Sequence, residues 1–322
     1  MRICLVTPAA TSSLTGNSIT AARWARILRQ LGHDVRVTQD YSTGRFDLLV
    51  ALHAYKSWKS IRKFHTKNPG RPIIVALTGT DVYDKIHVSA NARESLEIAS
   101  RLIALQPQAL KQLSPKLRKK TVVIYQSLPA SKKEVKRLKN CFEVCVIANL
   151  RSVKDPLRTA YAARLLPASS KIMISHIGAA LDSTFASRAK KEQSLNHRYR
   201  WLGEKPRWKT QDILRRCRLL VLTSKMEGGA NVVSEAIVSS LPVISTQISG
   251  SIGMLGEKYP GYFPYGDTKS LAKLLHRAEC DTHFYNELIL LCKNKRKLFE
   301  PANEVKAWRE LLESIRSDRL SL

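Results

Sequence analysis

The sequence predicts an α/β protein built from two doubly wound, parallel-sheet domains, and three observations carry that prediction. Short apolar runs rich in Val, Ile and Leu alternate with segments of helical periodicity along the whole chain. Loops of small, polar and glycine residues follow several of these runs, the place where open α/β sheets bind ligands. The length, 322 residues, leaves room for two domains of ordinary size, and a hydrophobic content of 44% excludes a disordered chain.

The elements follow in order. Ile3-Cys-Leu-Val6 reads as the first strand, and a loop to Asn17 precedes a helix with Trp24, Ile27, Leu28 and Leu31 at helical spacing. Gly32 is placed to cap that helix, and Asp34-Val-Arg-Val-Thr38 is the second strand, completing a βαβ unit. Further strands are predicted at Phe46-Asp-Leu-Leu-Val-Ala-Leu52, ending at His53, at Pro72-Ile-Ile-Val-Ala-Leu77, at Leu102-Ile-Ala-Leu105 and at Thr121-Val-Val-Ile-Tyr125. Helices are predicted at 56–65, at 90–100 and after Pro107. Residues 126–140 read as a linker.

A second α/β series starts at Cys141-Phe-Glu-Val-Cys-Val-Ile-Ala148. Asp155-Pro156 is expected to open a helix, with Asp155 as N-cap. Strands are predicted at Lys171-Ile-Met-Ile-Ser-His-Ile177, Tyr199-Arg-Trp-Leu-Gly203, Arg218-Leu-Leu-Val-Leu222 and Leu241-Pro-Val-Ile-Ser245, with a short edge strand at Gly261-Tyr-Phe-Pro264. Residues 204–209 and 245–250 read as loops, and helices are predicted at 211–216, 232–239, 268–279, 282–299 and 303–317. The domains expected are 1–130, 131–300 and a C-terminal helix, 301–322, returning to the first.

The formal net charge is +28, which calls for an anionic partner: nucleic acid, an anionic membrane surface or small anions. No zinc finger, RNA-recognition signature or basic–aromatic platform accompanies it, so nucleic acid is not expected, while peripheral membrane contact stays open. The six scattered cysteines have no zinc spacing and read as reduced thiols of a cytoplasmic protein. No apolar run approaches a membrane span, and the oligomeric state is left open.

Three loops of the second domain converge by topology: Arg151 and Lys154 after its first strand, Gly203 after a middle one, and Glu227-Gly-Gly-Ala-Asn231 after the next. Two cations and a helix N-terminus suit a diphosphate, with the amides of Gly228, Gly229, Ala230 and Asn231 facing it. Glu235, about one turn into the helix, is placed to accept from a ribose diol. Glu227 precedes the helix, toward a sugar beyond the phosphates. Solvated loop charges remain an alternative for the two cations. In the first domain Thr15, Gly16 and Asn17 sit at a helix N-terminus, an anion site, with Thr80 and Asp81 beside it and Gln106 and Gln126 at further strand ends. A self-capped turn is the alternative for Thr80 and Asp81. His53, at a strand end, is a candidate contact to the sugar or a solvated histidine at a helix start. Two α/β domains facing each other would leave a cleft for a ligand.

Asn149-Leu-Arg-Ser-Val-Lys-Asp-Pro156 resembles the Gly-Arg-Leu-x-x-x-Lys-Gly loop of the retaining GT-B glycosyltransferases of the glycogen-synthase and sucrose-synthase-like family. Glu227 and Glu235 match that family's E-x7-E motif, and Leu241-Pro-Val-Ile-Ser245 is similar to its Gly-x-Pro-Val-Val segment. Asn149 stands where glycine is usual, the arginine arrives one residue early, and Ala230-Asn231 replaces the frequent Phe-Gly. Leu77-Thr-Gly-Thr-Asp-Val-Tyr83, Ala104-Leu-Gln-Pro107, Tyr125-Gln-Ser127 and Met226-Glu-Gly-Gly-Ala-Asn231 together look like the GT-B subgroup that contains the selenosugar synthases.

The resemblance implies a GT-B fold and displacement of UDP from a UDP-sugar, UDP-N-acetylglucosamine in the subgroup, by selenophosphate. Arg151, Lys154 and the turn amides would stabilise the leaving diphosphate, and Glu227 would hold sugar hydroxyls. The UDP-sugar is then a substrate, and no cofactor or metal is expected; the chain lacks an Asp-x-Asp triplet. A hydroxyl acceptor, a UDP-sugar epimerase and a basic nucleic-acid- or membrane-binding protein are the competing readings.

Overall fold

The computed structural model describes residues 1–8, 16–129 and 135–320. By packing the chain divides into two units: Met1–Ser127 with Glu227–Ala230 and Phe299–Leu322, and Leu128–Met226 with Asn231–Leu298.

The first unit carries a six-stranded sheet of β1 (Arg2–Val6), β2 (Asp34–Thr38), β3 (Leu48–Leu52), β4 (Ile73–Leu77), β5 (Arg101–Ala104) and β6 (Thr121–Val123). Their order is β2-β1-β3-β4-β5-β6 and every pairing is parallel, with Ile3 opposite both Val35 and Leu48. The order reverses between β1 and β3. Every residue of β3 and β4 is buried, as continuous apolar strands covered on both faces must be. Between strands run α1 (Gly16–Gln30), α2 (Trp58–Lys67), α3 (Ile86–Val88), α4 (Ala90–Ile98) and α5 (Pro115–Lys119), plus a π-helical turn at Asp81–Lys85 and a 3-10 segment at Pro107–Gln112.

α1 buries Ala21, Trp24, Ala25 and Leu28, one helical stripe. It ends as the sequence suggests. Gly32, at φ 82°, donates to Arg29 O, and His33 N–H reaches back to Leu28 O, the two bonds of a Schellman cap.

The C-terminal helix, Pro301–Leu320, packs in this same unit. Trp308 meets Trp24 edge to face at 5.0 Å between ring centroids, and Leu311, Leu312 and Ile315 join the same core. Glu304, buried on that helix, accepts from Trp24 Nε1 at 2.7 Å, Arg23 Nε at 3.3 Å, Ser127 N–H at 2.8 Å and Ser127 Oγ at 2.5 Å. Pro301 opens this helix at its first turn, where proline costs no hydrogen bond.

The second unit repeats the plan with β7 (Phe142–Ile147), β8 (Ile172–Ile177), β9 (Tyr199–Trp201), β10 (Leu219–Leu222), β11 (Val243–Thr246) and β12 (Tyr262–Phe263). The order is β12-β11-β10-β7-β8-β9, all parallel, and it reverses between β7 and β10. Its helices are α6 (Arg158–Ala163), α7 (Ser183–Leu195), α8 (Arg207–Arg216), α9 (Asn231–Val238), α10 (Ser249–Leu255), α11 (Thr268–Cys280) and α12 (Thr282–Lys295).

Four local expectations change. Asp155 is not an N-cap: it adopts a left-handed conformation, φ 43°, and its carboxylate binds Arg158 Nε at 2.7 Å, so α6 starts two residues later than expected, at Arg158. α8 begins at Arg207, inside the stretch read as loop. α7 is absent from the sequence reading because its interior is polar, with Ala189 and Glu192 buried, although Asp182 caps it by accepting from Thr184 N–H at 2.7 Å. α10 holds Gly250 and Gly253, poor helix formers, and burial of Met254 and Leu255 overrides that propensity.

All six cysteines are free thiols. Among the described residues no helix is long and apolar enough to cross a membrane.

Candidate functional site

In the second unit the strand ends form a continuous row of loops, each tied to its neighbour. Gly203 O accepts from Gly178 N–H at 3.0 Å, joining the ends of β9 and β8. Gly203 has φ 69°, a conformation that favours glycine. A Cβ on Gly178 would lie 2.0 Å from Ala148 O, so only glycine lets these two backbones meet. Asn149 Oδ1 accepts from Ala179 N–H at 3.0 Å, and Leu150 N–H donates to Ala179 O at 2.8 Å. The asparagine found where glycine is usual thus holds the β7 loop to the β8 loop.

Across the switch point the ties continue. Thr223 Oγ1 lies 2.8 Å from Lys154 O and 2.9 Å from Asp155 O. Lys225 N–H donates to Val153 O at 2.8 Å, and Thr246 Oγ1 donates to Ser224 O at 2.7 Å. The loop carrying Arg151 and Lys154 is therefore fixed by its main chain to the loop after β10. Arg151 is exposed, and Lys154 is half-buried. This is the crevice at a strand-order reversal where open α/β sheets hold ligands.

α9 follows that loop, with Asn231 as its first residue and Glu235 one turn in. Glu235 is buried, and its Oε1 lies 3.2 Å from Nη2 of Arg207, the first residue of α8. Arg207 was not singled out in the sequence, because only the fold brings it to Glu235.

His176 on β8 backs this row. Its Nε2 donates to Ala148 O at 3.0 Å, and its Nδ1 accepts from the Tyr199 hydroxyl at 2.8 Å. A carbonyl can only accept, so the ring is the neutral Nε2–H tautomer. Burial pushes its pKa down to about 4.

In the first unit His53, Thr80 and Asp81 come together at the ends of β3 and β4. Asp81 is fully buried, and it accepts from Ala54 N–H at 3.0 Å, Thr78 N–H at 3.0 Å and Gly79 N–H at 2.8 Å. Its carboxylate organises the turn and has no surface to offer an acceptor, the self-capped alternative of the sequence reading. His53 holds a left-handed backbone, φ 74°, which the Asp81 bond to Ala54 N–H fixes. Its Nδ1 accepts from Lys56 N–H at 3.3 Å, and its Nε2 lies 3.0 Å from Thr80 Oγ1. Burial lowers the His53 pKa, and the nearby Asp81 opposes that without cancelling it. The ring is neutral near pH 7, so its 3.8 Å approach to Asp81 is no ion pair. His53 is nearly fully buried and reaches the surface through the half-buried Thr80.

Gln106 and Gln126 are also structural in their contacts. Gln106 donates to the Tyr83 hydroxyl at 2.6 Å and caps the 3-10 segment by accepting from Gln108 N–H at 2.7 Å. Gln126 Nε2 donates to Thr20 Oγ1 at 2.5 Å, which in turn donates to Gly16 O at 2.8 Å. Gly16 is exposed at the start of α1 and Asn17 is half-buried; Thr15 lies outside the described residues.

Glu227–Ala230 pack with the first unit. A Cβ on Gly228 would lie 2.5 Å from Thr78 C, and one on Gly229 would lie 2.7 Å from Leu105 Cβ. The paired glycines thus serve close approach, a requirement the sequence reading did not include. Glu227 is half-buried. Among the described residues one group with metal-ligand chemistry comes together, His276, Glu279 and Cys280 on α11, where Glu279 already accepts from Ser170 Oγ at 2.7 Å and Lys171 N–H at 2.6 Å.

The family model for glycosyl transferases group 1 matches residues 129–318, more than half of the chain. No curated protein sequence matches it. Among solved structures, HepE from Anabaena in complex with UDP and glucose aligns with a TM-score of 0.77 at 18% identity, covering 98% of this chain and 100% of that one. A sucrose-phosphate synthase from Thermosynechococcus elongatus aligns with a TM-score of 0.76 at 15% identity, covering 98% and 99%. A TarM variant from S. aureus, in complex with fondaparinux, α-GlcNAc-glycerol and UDP, aligns with a TM-score of 0.64 at 14% identity, covering 92% of this chain and 59% of that one. At these identities the likeness is one of fold, and the fold is GT-B-like.

Proposed function

Because the chain belongs to the glycosyl transferases group 1 family, we propose that it transfers the sugar of a UDP-sugar, UDP-N-acetylglucosamine, to selenophosphate, releasing UDP and phosphate. The observation that carries the donor half is the tied crevice between β7 and β10. Main-chain and Thr223 bonds hold the Arg151–Lys154 loop against the loop after β10, and Glu235 lies one turn into the helix that follows. Complexes of HepE with UDP and with UDP-glucose support a uridine diphosphate donor.

In this reading Glu235 accepts from the ribose diol. Arg151 and Lys154 meet the diphosphate, with the amide of Asn231 at the start of α9 adding a donor. Selenium attacks the anomeric carbon as the bond from that carbon to the UDP oxygen breaks, and the electron pair leaves on the β-phosphate. Water then cleaves the Se–P bond, giving phosphate and a selenosugar. Cations carried on a loop whose main chain is held in place would stabilise the charge that develops on the leaving group. Glu227 holds sugar hydroxyls. The selenium acceptor is supported by the short segments around Leu77–Tyr83 and Met226–Asn231 that look like the selenosugar synthase subgroup.

Calorimetric titration with UDP tests the donor site. Binding by the wild type, weakened about 10- to 100-fold in Glu235→Ala, is expected for lost hydrogen bonds to a charged group. UDP that fails to bind, or binds Glu235→Ala equally well, would sink the donor assignment. Incubation with UDP-N-acetylglucosamine and selenophosphate, followed by mass spectrometry, tests the acceptor. A selenium-bearing sugar is expected; UDP release with an alcohol alone would leave the hydroxyl reading.

A further inference from the structure

We infer that Arg207 is a positioning residue for the nucleotide, holding the Glu235 carboxylate in the orientation that reads a ribose diol; this rests on the donor assignment above. Glu235 is almost wholly buried on α9, where a charge needs a partner. One such partner is the Arg207 guanidinium, 3.2 Å from Oε1. Asp212, the one acid of α8, is held by Arg215 Nη2 at 2.5 Å.

The pair is built to leave the carboxylate working. A guanidinium at Oε1 fixes one oxygen and supplies counter-charge, and an anionic carboxylate has acceptor capacity for further donors. Two vicinal hydroxyls are the complementary donors. Arg207 itself is partly exposed, at 40% of its side chain. It lines an open depression with Trp208, Gln211, Asp212 and Arg215. Its own contact to a ligand is therefore not required for the effect. By setting the angle of Glu235, Arg207 sets discrimination between a ribose and a 2′-deoxyribose.

The test is titration of the full chain with UDP and with 2′-deoxy-UDP, for the wild type, Arg207→Gln and Arg207→Lys. The wild type should prefer UDP by about tenfold or more, the size of one hydrogen bond to a charged group. Arg207→Gln should bring the ratio close to one by weakening UDP, which offers both hydroxyls, more than 2′-deoxy-UDP, which keeps only the 3′-hydroxyl, and Arg207→Lys should restore part of it, since lysine keeps the charge without the planar fork. Thermal melting checks that each variant is folded. A ratio unchanged in Arg207→Gln overturns the inference, and so does equal weakening of both nucleotides, which would mark Arg207 as a phosphate contact. A wild type that binds UDP but not selectively overturns it as well. A wild type that binds neither nucleotide overturns the donor assignment and this inference with it.

Discussion

Acidification should destabilise the second unit through one residue, His176. Its ring is fully buried between Ala148 O and the Tyr199 hydroxyl, and burial lowers its pKa from 6.5 to about 4. The unfolded chain therefore takes up a proton between these values that the folded chain refuses. Stability is complete above the unfolded value and falls as pH drops from about 6.5 toward 4. Each pH unit in that window is worth about 1.4 kcal/mol, so the loss reaches about 3 kcal/mol at pH 4 and below, of which about 2 kcal/mol appears between pH 7 and pH 5. His53 and His33, both lowered chiefly by burial, add to the same trend. His176→Gln removes only its own share, keeping a donor and an acceptor without a titration in this range. Urea unfolding of both proteins at pH 7 and pH 5 measures the difference. Hydrogen exchange on β7, β8 and β9 should show lost protection there first, because Val146 and Trp201 flank His176 in the sheet. If the wild type and His176→Gln lose equal stability over that interval, the ring is not the buried neutral group described.

Glu304→Ala should destabilise the first unit by about 3–5 kcal/mol in urea, because it leaves the buried Arg23 without its carboxylate. Glu304→Gln, which keeps hydrogen bonding, should be milder. Gly178→Ala should lower the melting temperature and UDP affinity together, since its Cβ would sit 2.0 Å from Ala148 O and must push the β7 loop aside; an unchanged melting curve would contradict that approach. Lys154→Ala and Arg151→Ala should each lower kcat for UDP release by about 10²–10³, the loss typical of one preorganised charge-stabilising group, with a smaller change in UDP affinity. Asp81→Ala should destabilise the first unit by at least about 3 kcal/mol, as three main-chain N–H groups lose their acceptor.

The periodicity of the chain exposed the two sheets because each strand announces itself locally: Leu49-Val-Ala-Leu52 and Ile73-Ile-Val-Ala-Leu77 are apolar end to end and buried end to end. Helices stabilised by a few buried positions, such as α7, or by tertiary contact against their propensity, such as α10, left no periodic trace. The same distinction runs through the functional residues. The candidates Arg151, Lys154, Glu227 and Glu235 stand out by residue type at strand ends. Gly178, Arg207 and Glu304 do not, because each matters through a residue far away in sequence: Ala148, Glu235 and Arg23 respectively.

Local chemistry also could not tell a carboxylate that faces a ligand from one that faces its own backbone. Asp81 and Glu235 both follow a strand and both are buried. What separates them is the nature of their partners. Asp81 is surrounded by main-chain N–H groups, which cannot leave without unfolding the turn. Glu235 is paired with a side chain, the partly exposed guanidinium of Arg207. A carboxylate that accepts from three main-chain N–H groups is committed to the turn, whereas a guanidinium supplies counter-charge from a side chain that is no part of the helix main chain. That difference, rather than position in a motif, is the physical ground for reading Glu235 as a nucleotide contact and Asp81 as the support beneath His53 and Thr80.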